Sequence, residues 1–158
     1  MNPKLFVSLT FIISWISIRF IPKEQVKKYI PVSIFASLIV SLTFVMATDF
    51  GWWKLKKPVI PGLKSINVFY VFGAFFVGTI WIFKLVYKIG FLPYLITNAL
   101  IDSFFVYIIV PFAEKIGVGK RYISKTFILG LMLSASLIIY GFQKWYEVPS
   151  NTKTSVSR

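Results

Sequence analysis

The sequence predicts an all-α membrane protein, built as a bundle of five transmembrane helices. Of its 158 residues, 57% are hydrophobic and only 15% are charged, whereas an ordinary soluble domain is about 45–50% apolar and about 25% charged. Five apolar runs approach or reach the ~20 residues that a helix needs to cross the hydrocarbon of a bilayer. None of them alternates polar and apolar residues as a barrel strand does, so helices must satisfy the backbone in lipid.

The predicted spans form one transmembrane domain, residues 1–148, followed by a polar tail, residues 149–158. They cover residues 5–21, 29–47, 66–87, 91–112 and 126–145. The first run is taken as a retained helix because no small-residue cleavage site follows it. Pro31 is expected in the first turn of the second helix, where a missing N–H does no harm. The link from Lys88 to Gly90 is so short that helices three and four should form an antiparallel hairpin.

Basic residues outnumber acidic ones, with 18 Lys and Arg against five Asp and Glu and a net charge of +13. They lie between the apolar runs, where anionic headgroups attract each of them by about 1 kcal/mol. The expected partner is therefore a lipid bilayer with anionic headgroups and not a nucleic acid. Trp52, Trp53 and Lys54, together with Trp145, are expected to anchor the chain in the headgroup layer, which suits amphipathic rings.

The orientation of the bundle follows only weakly from its charges. Nine basic residues fall on each face of a five-helix arrangement. The first helix has one basic residue before it and four after it, and this helix usually dominates. The sequence therefore favours an N-terminus outside and a C-terminus inside.

The composition argues against an enzyme. The chain contains no cysteine and no histidine, which removes thiolate nucleophiles, imidazole bases and the commonest metal ligands. The five carboxylates lie on separate segments, so neither a metal site nor a cofactor is expected. A serine activated by a lysine remains as a remote route to lipid-modifying chemistry, although no particular pair stands out.

Asp102 is the most informative residue for function. It lies near the middle of the fourth run, one turn after Asn98, so both residues share a helix face. An aspartate at mid-bilayer costs about 2.5–3.5 kcal/mol on insertion scales and should face the bundle. One interpretation is a proton-carrying or ligand-binding carboxylate in a cavity. The other is a structural knot in which Asp102 is hydrogen-bonded to Asn98 and to hydroxyls of neighbouring helices.

Lys84, near the end of the third run, is the other member of this candidate polar site. Its position is roughly 10 Å from Asp102 along the membrane normal, at 1.5 Å per residue. A direct ion pair would need a tilted or broken helix. The alternative is that the lysine extends its ammonium group to the membrane surface.

Small residues recur at helical spacing and are candidates for close helix packing or for an oligomer seam, because they let backbones approach. The candidates are Gly130, Ser134 and Gly141 in helix five and Ser33, Ser37 and Ser41 in helix two. Helix five is the preferred surface for a second copy of the chain or for another membrane protein.

Three runs between residues 69 and 147 carry a resemblance to known proteins. They are VFGAFFVGTIWIF, YLITNALIDSFFVY and IIYGFQKWYE. They are similar to runs in small uncharacterised multi-span membrane proteins of spore-forming Gram-positive bacteria. The resemblance covers about half of the chain and implies a bacterial cytoplasmic membrane location. That group has no assigned activity, so the resemblance assigns no functional residues.

Two functional hypotheses remain. The favoured one is a non-enzymatic membrane protein that acts through a partner or as a homo-oligomer. The alternative is a component that binds or transports a small molecule or ion through a buried carboxylate at Asp102. A water-filled cavity or a bound molecule beside Asp102 would favour the alternative, and a dry, closed bundle would favour the partner hypothesis.

Overall fold

The computed structural model describes residues 2–56 and 68–148, with the side chain of Leu55 left out, and it has five helices long and apolar enough to cross a membrane. They are α1 (Pro3–Phe20), α2 (Lys23–Asp49), α3 (Tyr70–Tyr87), α4 (Phe91–Lys115) and α5 (Lys125–Glu147). Their outward faces carry large exposed apolar side chains, as a surface in contact with lipid requires. The predicted fold class is confirmed, and the protein is a multi-pass membrane protein.

The helix boundaries depart from the prediction mainly at α2. This helix begins at Lys23 and not at residue 29, so Pro31 lies inside it and not in its first turn. The prediction was wrong because hydropathy marks only the apolar part of a helix, and the first turns of α2 carry charged residues. The ring of Pro31 leaves the carbonyl of Lys27 without its usual helical partner. The predicted start of the third span, at residue 66, and the tail lie outside the described residues.

Two of the spanning helices contain wide, π-helical turns. In α3 these are Tyr70–Phe75 and Phe83–Tyr87, and in α4 the turn is Phe105–Ile109. Such turns are rare and are often found at functional sites. The turn in α4 begins three residues after Asp102, so the backbone changes its geometry next to the candidate carboxylate.

A two-stranded antiparallel sheet joins two of the loops on the face where α2 ends. Strand β1 (Trp53–Leu55) pairs with β2 (Gly119–Arg121), with Trp53 opposite Arg121. Gly119 is required here, because an added Cβ would lie 2.9 Å from the carbonyl oxygen of Lys54 and 3.0 Å from the Trp53 ring. The sequence predicts no strand here, since three residues are too few to show a period of two.

Helix α1 is held tightly against α3. An added Cβ at Gly73 would lie 3.0 Å from the ring of Phe11 and 3.1 Å from its Cα. The indole of Trp15 donates a hydrogen bond to the carbonyl oxygen of Phe72 at 3.1 Å, and that of Trp81 donates to the hydroxyl of Ser17 at 3.0 Å. Close backbone contact and two interhelical hydrogen bonds therefore fix α1 on the bundle.

This packing predicts that Gly73→Val destabilises the protein. The added methyl groups would overlap α1, and overpacking of this kind costs about 1–3 kcal/mol. Gly141→Val is the matched control, because Gly141 is exposed on α5 and an added Cβ there meets no atom within 4 Å. The unfolding temperatures of both variants are compared in the same detergent, with circular dichroism as the signal. Equal losses of thermal stability in the two variants would contradict the packing described.

Candidate functional site

A cavity of about 310 Å³ lies inside the bundle, and its wall includes residues from all five helices. This volume falls at the lower end of the range of small-molecule sites, about 300–1,000 Å³. Most of the wall is apolar. Its hydroxyl, amide and carboxyl groups belong to Thr43, Tyr70, Thr79, Tyr94, Asn98, Asp102 and Ser136. The cavity therefore offers a mostly apolar surface with few polar groups.

Asp102 faces this cavity and not the lipid. It is only 8% exposed, whereas its neighbours Ile101 and Phe104 on α4 are 46% and 55% exposed. Among the described residues that line the cavity, Asp102 is the only Asp, Glu, Lys or Arg. Its carboxylate forms no hydrogen bond or ion pair with any residue in 2–56 or 68–148. A buried charge in this position lacks the partner that it would normally require.

The other two members of the candidate polar site are placed differently. Asn98 is buried and lines the cavity, but its amide donates to the carbonyl oxygen of Tyr94 on its own helix at 2.8 Å. The hydrogen-bonded knot between Asn98 and Asp102 is therefore absent from the described structure. Lys84 is not among the described lining residues, and its ammonium lies 4.4 Å from the ring centroid of Trp81. The structure brings Asn98 and Asp102 to one cavity and leaves Lys84 outside it.

One end of the cavity is closed by aromatic rings. Phe83 and Tyr94 line the cavity at this end, and their ring centroids are 5.2 Å apart. Tyr29 packs behind Phe83 at 5.7 Å, and Tyr140 packs behind Tyr94 at 4.9 Å. The hydroxyl of Tyr94 donates to the carbonyl oxygen of Ser136 at 3.0 Å, which ties α4 to α5. These rings pack together on the side of the bundle where α5 ends.

A polar cluster around Glu147 covers the outer side of these rings. The carboxylate lies 3.0 Å from the ammonium of Lys28, accepts a hydrogen bond from the Tyr87 hydroxyl at 2.8 Å, and accepts another from the Gln143 amide at 3.0 Å. The cluster thus joins α2, α3 and α5. Sequence reasoning missed it because its members lie on three helices; the one local signal was the spacing of Gln143 and Glu147, one turn apart.

The opposite end of the cavity is covered by the short sheet. Trp52, Trp53 and Val118 line this end. Trp52 also stacks on Phe50 with centroids 5.3 Å apart, and the indole N–H of Trp53 is buried without a hydrogen-bond partner in the described structure. The two tryptophans expected as interfacial anchors therefore also form the wall of the cavity.

The remaining predicted anchors lie at the surface. Lys54 is exposed, with its ammonium 5.7 Å from the ring centroid of Tyr122. Trp145 is exposed near the end of α5. Both positions suit the headgroup layer, where a cation or an indole N–H can meet water.

The two stripes of small residues have different surroundings. Ser33 and Ser37 are buried on α2, so they serve helix packing within one chain, and Ser41 is half-buried. Gly130, Ser134 and Gly141 lie on the exposed face of α5. An added Cβ at either glycine would meet no atom within 4 Å.

The chain matches no family model, and neither a curated protein nor a solved structure is significantly similar to it. The site must therefore be interpreted from its own chemistry. Within the described ranges, no three Asp or Glu side chains come together as metal ligands would. The feature that remains is a single unpaired carboxylate on an apolar wall.

Proposed function

We propose that the protein binds a small, mainly apolar molecule within the membrane, as the binding or transport component for that molecule. The observation that carries this proposal is the Asp102 carboxylate, buried and unpaired in the described structure, on the wall of a cavity of about 310 Å³. A cavity of this kind with one oriented polar group is the usual form of a small-molecule site. The apolar wall takes up the body of the ligand, and Asp102 with Asn98 orients its polar end.

The two ends of the cavity support a direction of entry. The end beneath Tyr29 and Tyr140 is closed by packed rings and by the cluster around Glu147. Among the described residues, the other end is covered by a sheet of two three-residue strands, and a two-stranded ribbon is marginally stable by itself. The ligand therefore enters past the sheet, and release to the other face would require the Glu147 cluster to separate.

Binding without chemistry fits the residues available. Asp102 has no second acid on the described wall, and the chain has no cysteine or histidine to act beside it. The resemblance to membrane proteins of spore-forming bacteria supports a bacterial cytoplasmic membrane, and the charges flanking α1 support an external N-terminus. Under this proposal, the cavity is the functional site of the protein.

Filling the cavity should abolish binding without unfolding the protein. Gly78 lines the cavity, and an added Cβ there meets no atom within 4 Å, so Gly78→Leu places its side chain in the empty volume. Binding of benzyl alcohol is measured by ligand-observed NMR in dodecyl maltoside micelles, with empty micelles to subtract partitioning. We expect saturable binding in the unmodified chain and in Gly141→Leu, and none in Gly78→Leu. Equal saturable binding in Gly78→Leu would contradict the proposal.

A second candidate function, assembly into a homo-oligomer or with another membrane protein, is favoured by the exposed face of α5. Gly130 and Ser134 are one turn apart there, and the Ser134 hydroxyl donates to the Gly130 carbonyl at 2.8 Å, leaving a shallow surface. Small residues at this spacing allow two helices to approach closely in lipid.

For this candidate, the combined substitutions Gly130→Leu and Ser134→Leu should convert an oligomer into a monomer, because the added side chains hold two α5 helices apart. Molar mass measured by light scattering in detergent gives the result, and thermal unfolding of the same sample checks the fold. An oligomer of unchanged mass would show that this face is not the interface.

A further inference from the structure

We infer that the ligand of the cavity is an organic ammonium compound, a cationic nitrogen carrying apolar groups. This inference rests on the proposed function and adds the chemical class of the ligand. Two independent features of the wall support it: the sign of its charge, and a group of three aromatic rings on α3 and α4.

The charge of the wall favours a cation. Asp102 is the only Asp, Glu, Lys or Arg among the described residues that line the cavity, although the whole chain carries 18 basic residues against five acidic ones. The described wall therefore has no basic side chain, although the chain as a whole is strongly basic. An anionic ligand would meet a carboxylate with no compensating cation there, and such like-charge contacts are strongly unfavourable. A cationic ligand would supply the partner that Asp102 lacks.

Three aromatic rings meet on the wall of the same cavity. The ring centroids of Tyr70 and Phe75 are 5.5 Å apart, those of Tyr70 and Phe105 are 5.3 Å apart, and those of Phe75 and Phe105 are 5.9 Å apart. All three residues line the cavity with Asp102. Ring faces attract ammonium groups, and alkylated ammonium ligands are commonly held by several rings around one cation.

The rings and the carboxylate belong to one side of the site. Phe105 follows Asp102 by three residues on α4, and residues at this spacing are neighbours on a helix surface. Phe105 also begins the wide turn of α4, and Tyr70 begins the first wide turn of α3. The backbone of both helices is therefore widened where the rings of Tyr70 and Phe105 meet.

A metal cation fits this wall poorly. Sites for calcium or magnesium use several oxygen ligands at short distances, whereas the described wall offers one carboxylate among mostly apolar side chains. An organic cation requires fewer oxygen contacts, and burial of its alkyl or aryl groups against the apolar wall adds to the affinity.

Two probes of the same shape test the inference, benzyltrimethylammonium and neopentylbenzene. They differ in one central atom, which is a cationic nitrogen in the first and a neutral carbon in the second. Affinities are measured by competition with benzyl alcohol in ligand-observed NMR. Dodecyl maltoside micelles are used because choline lipids would themselves supply an ammonium group. The variants are Asp102→Asn and Phe105→Leu, with Asp49→Asn as the control, since Asp49 is exposed and is not a lining residue.

We expect the unmodified chain and Asp49→Asn to bind the ammonium probe about tenfold more tightly than the carbon probe. In Asp102→Asn this preference should disappear, and in Phe105→Leu it should fall while binding of the carbon probe is retained. The ratio in the unmodified chain decides the question even where Asp102→Asn fails to fold.

Equal affinity for the two probes, or binding of benzyl alcohol without binding of the ammonium probe, would overturn the inference and leave the proposed function standing. A preference that persists unchanged in a folded Asp102→Asn variant would also overturn it. Absence of saturable binding for all three compounds would overturn the proposed function as well.

Discussion

A carboxylate in the middle of a membrane bundle must be surrounded by something other than lipid, and the arrangement of this protein depends on how that constraint is met at Asp102. Insertion scales place the cost of a central aspartate at about 2.5–3.5 kcal/mol, and the cost is reduced when the group faces the interior of the bundle. In this structure Asp102 is turned inward between strongly exposed neighbours on α4. No hydrogen bond or ion pair from the described residues neutralises it, so the cavity in front of it provides its environment.

The rest of the bundle encloses the two ends of that cavity in different ways. At one end, rings from four helices pack together and the Glu147 carboxylate connects α2, α3 and α5 across their outer side. At the other end, the described cover consists of the short sheet and the neighbouring Trp52. This difference between the two described ends is the basis of the proposed route of entry past the sheet. The α1 helix, fixed to α3 through Gly73 and two indoles, supports the wall from outside.

Sequence reasoning predicted the features that depend on local composition. Five apolar runs specified five helices, and the cost of a buried charge indicated that Asp102 would face inward. The features it missed depend on contacts between distant segments. The pairing of Trp53 with Arg121 joins loops from two distant parts of the chain. The first turns of α2 are polar, so a search for apolar runs does not detect them. The cavity volume and the meeting of Tyr70, Phe75 and Phe105 follow from how five helices pack, which no single run encodes.

The most direct test of this account is the reactivity of a thiol at position 102, which can be measured cleanly because the chain has no native cysteine. The reagent is methanethiosulfonate ethylammonium, a small cation that reacts with thiols reached by water. The test variant is Asp102→Cys. Leu100→Cys lies on the lipid-facing side of α4, where Leu100 is 67% exposed. Lys56→Cys, at an exposed position, is the control for full reaction. The account predicts modification of Asp102→Cys and of Lys56→Cys, with Leu100→Cys unmodified. An Asp102→Cys variant that stays unmodified under conditions that fully modify Lys56→Cys, or that reacts no faster than Leu100→Cys, would contradict it.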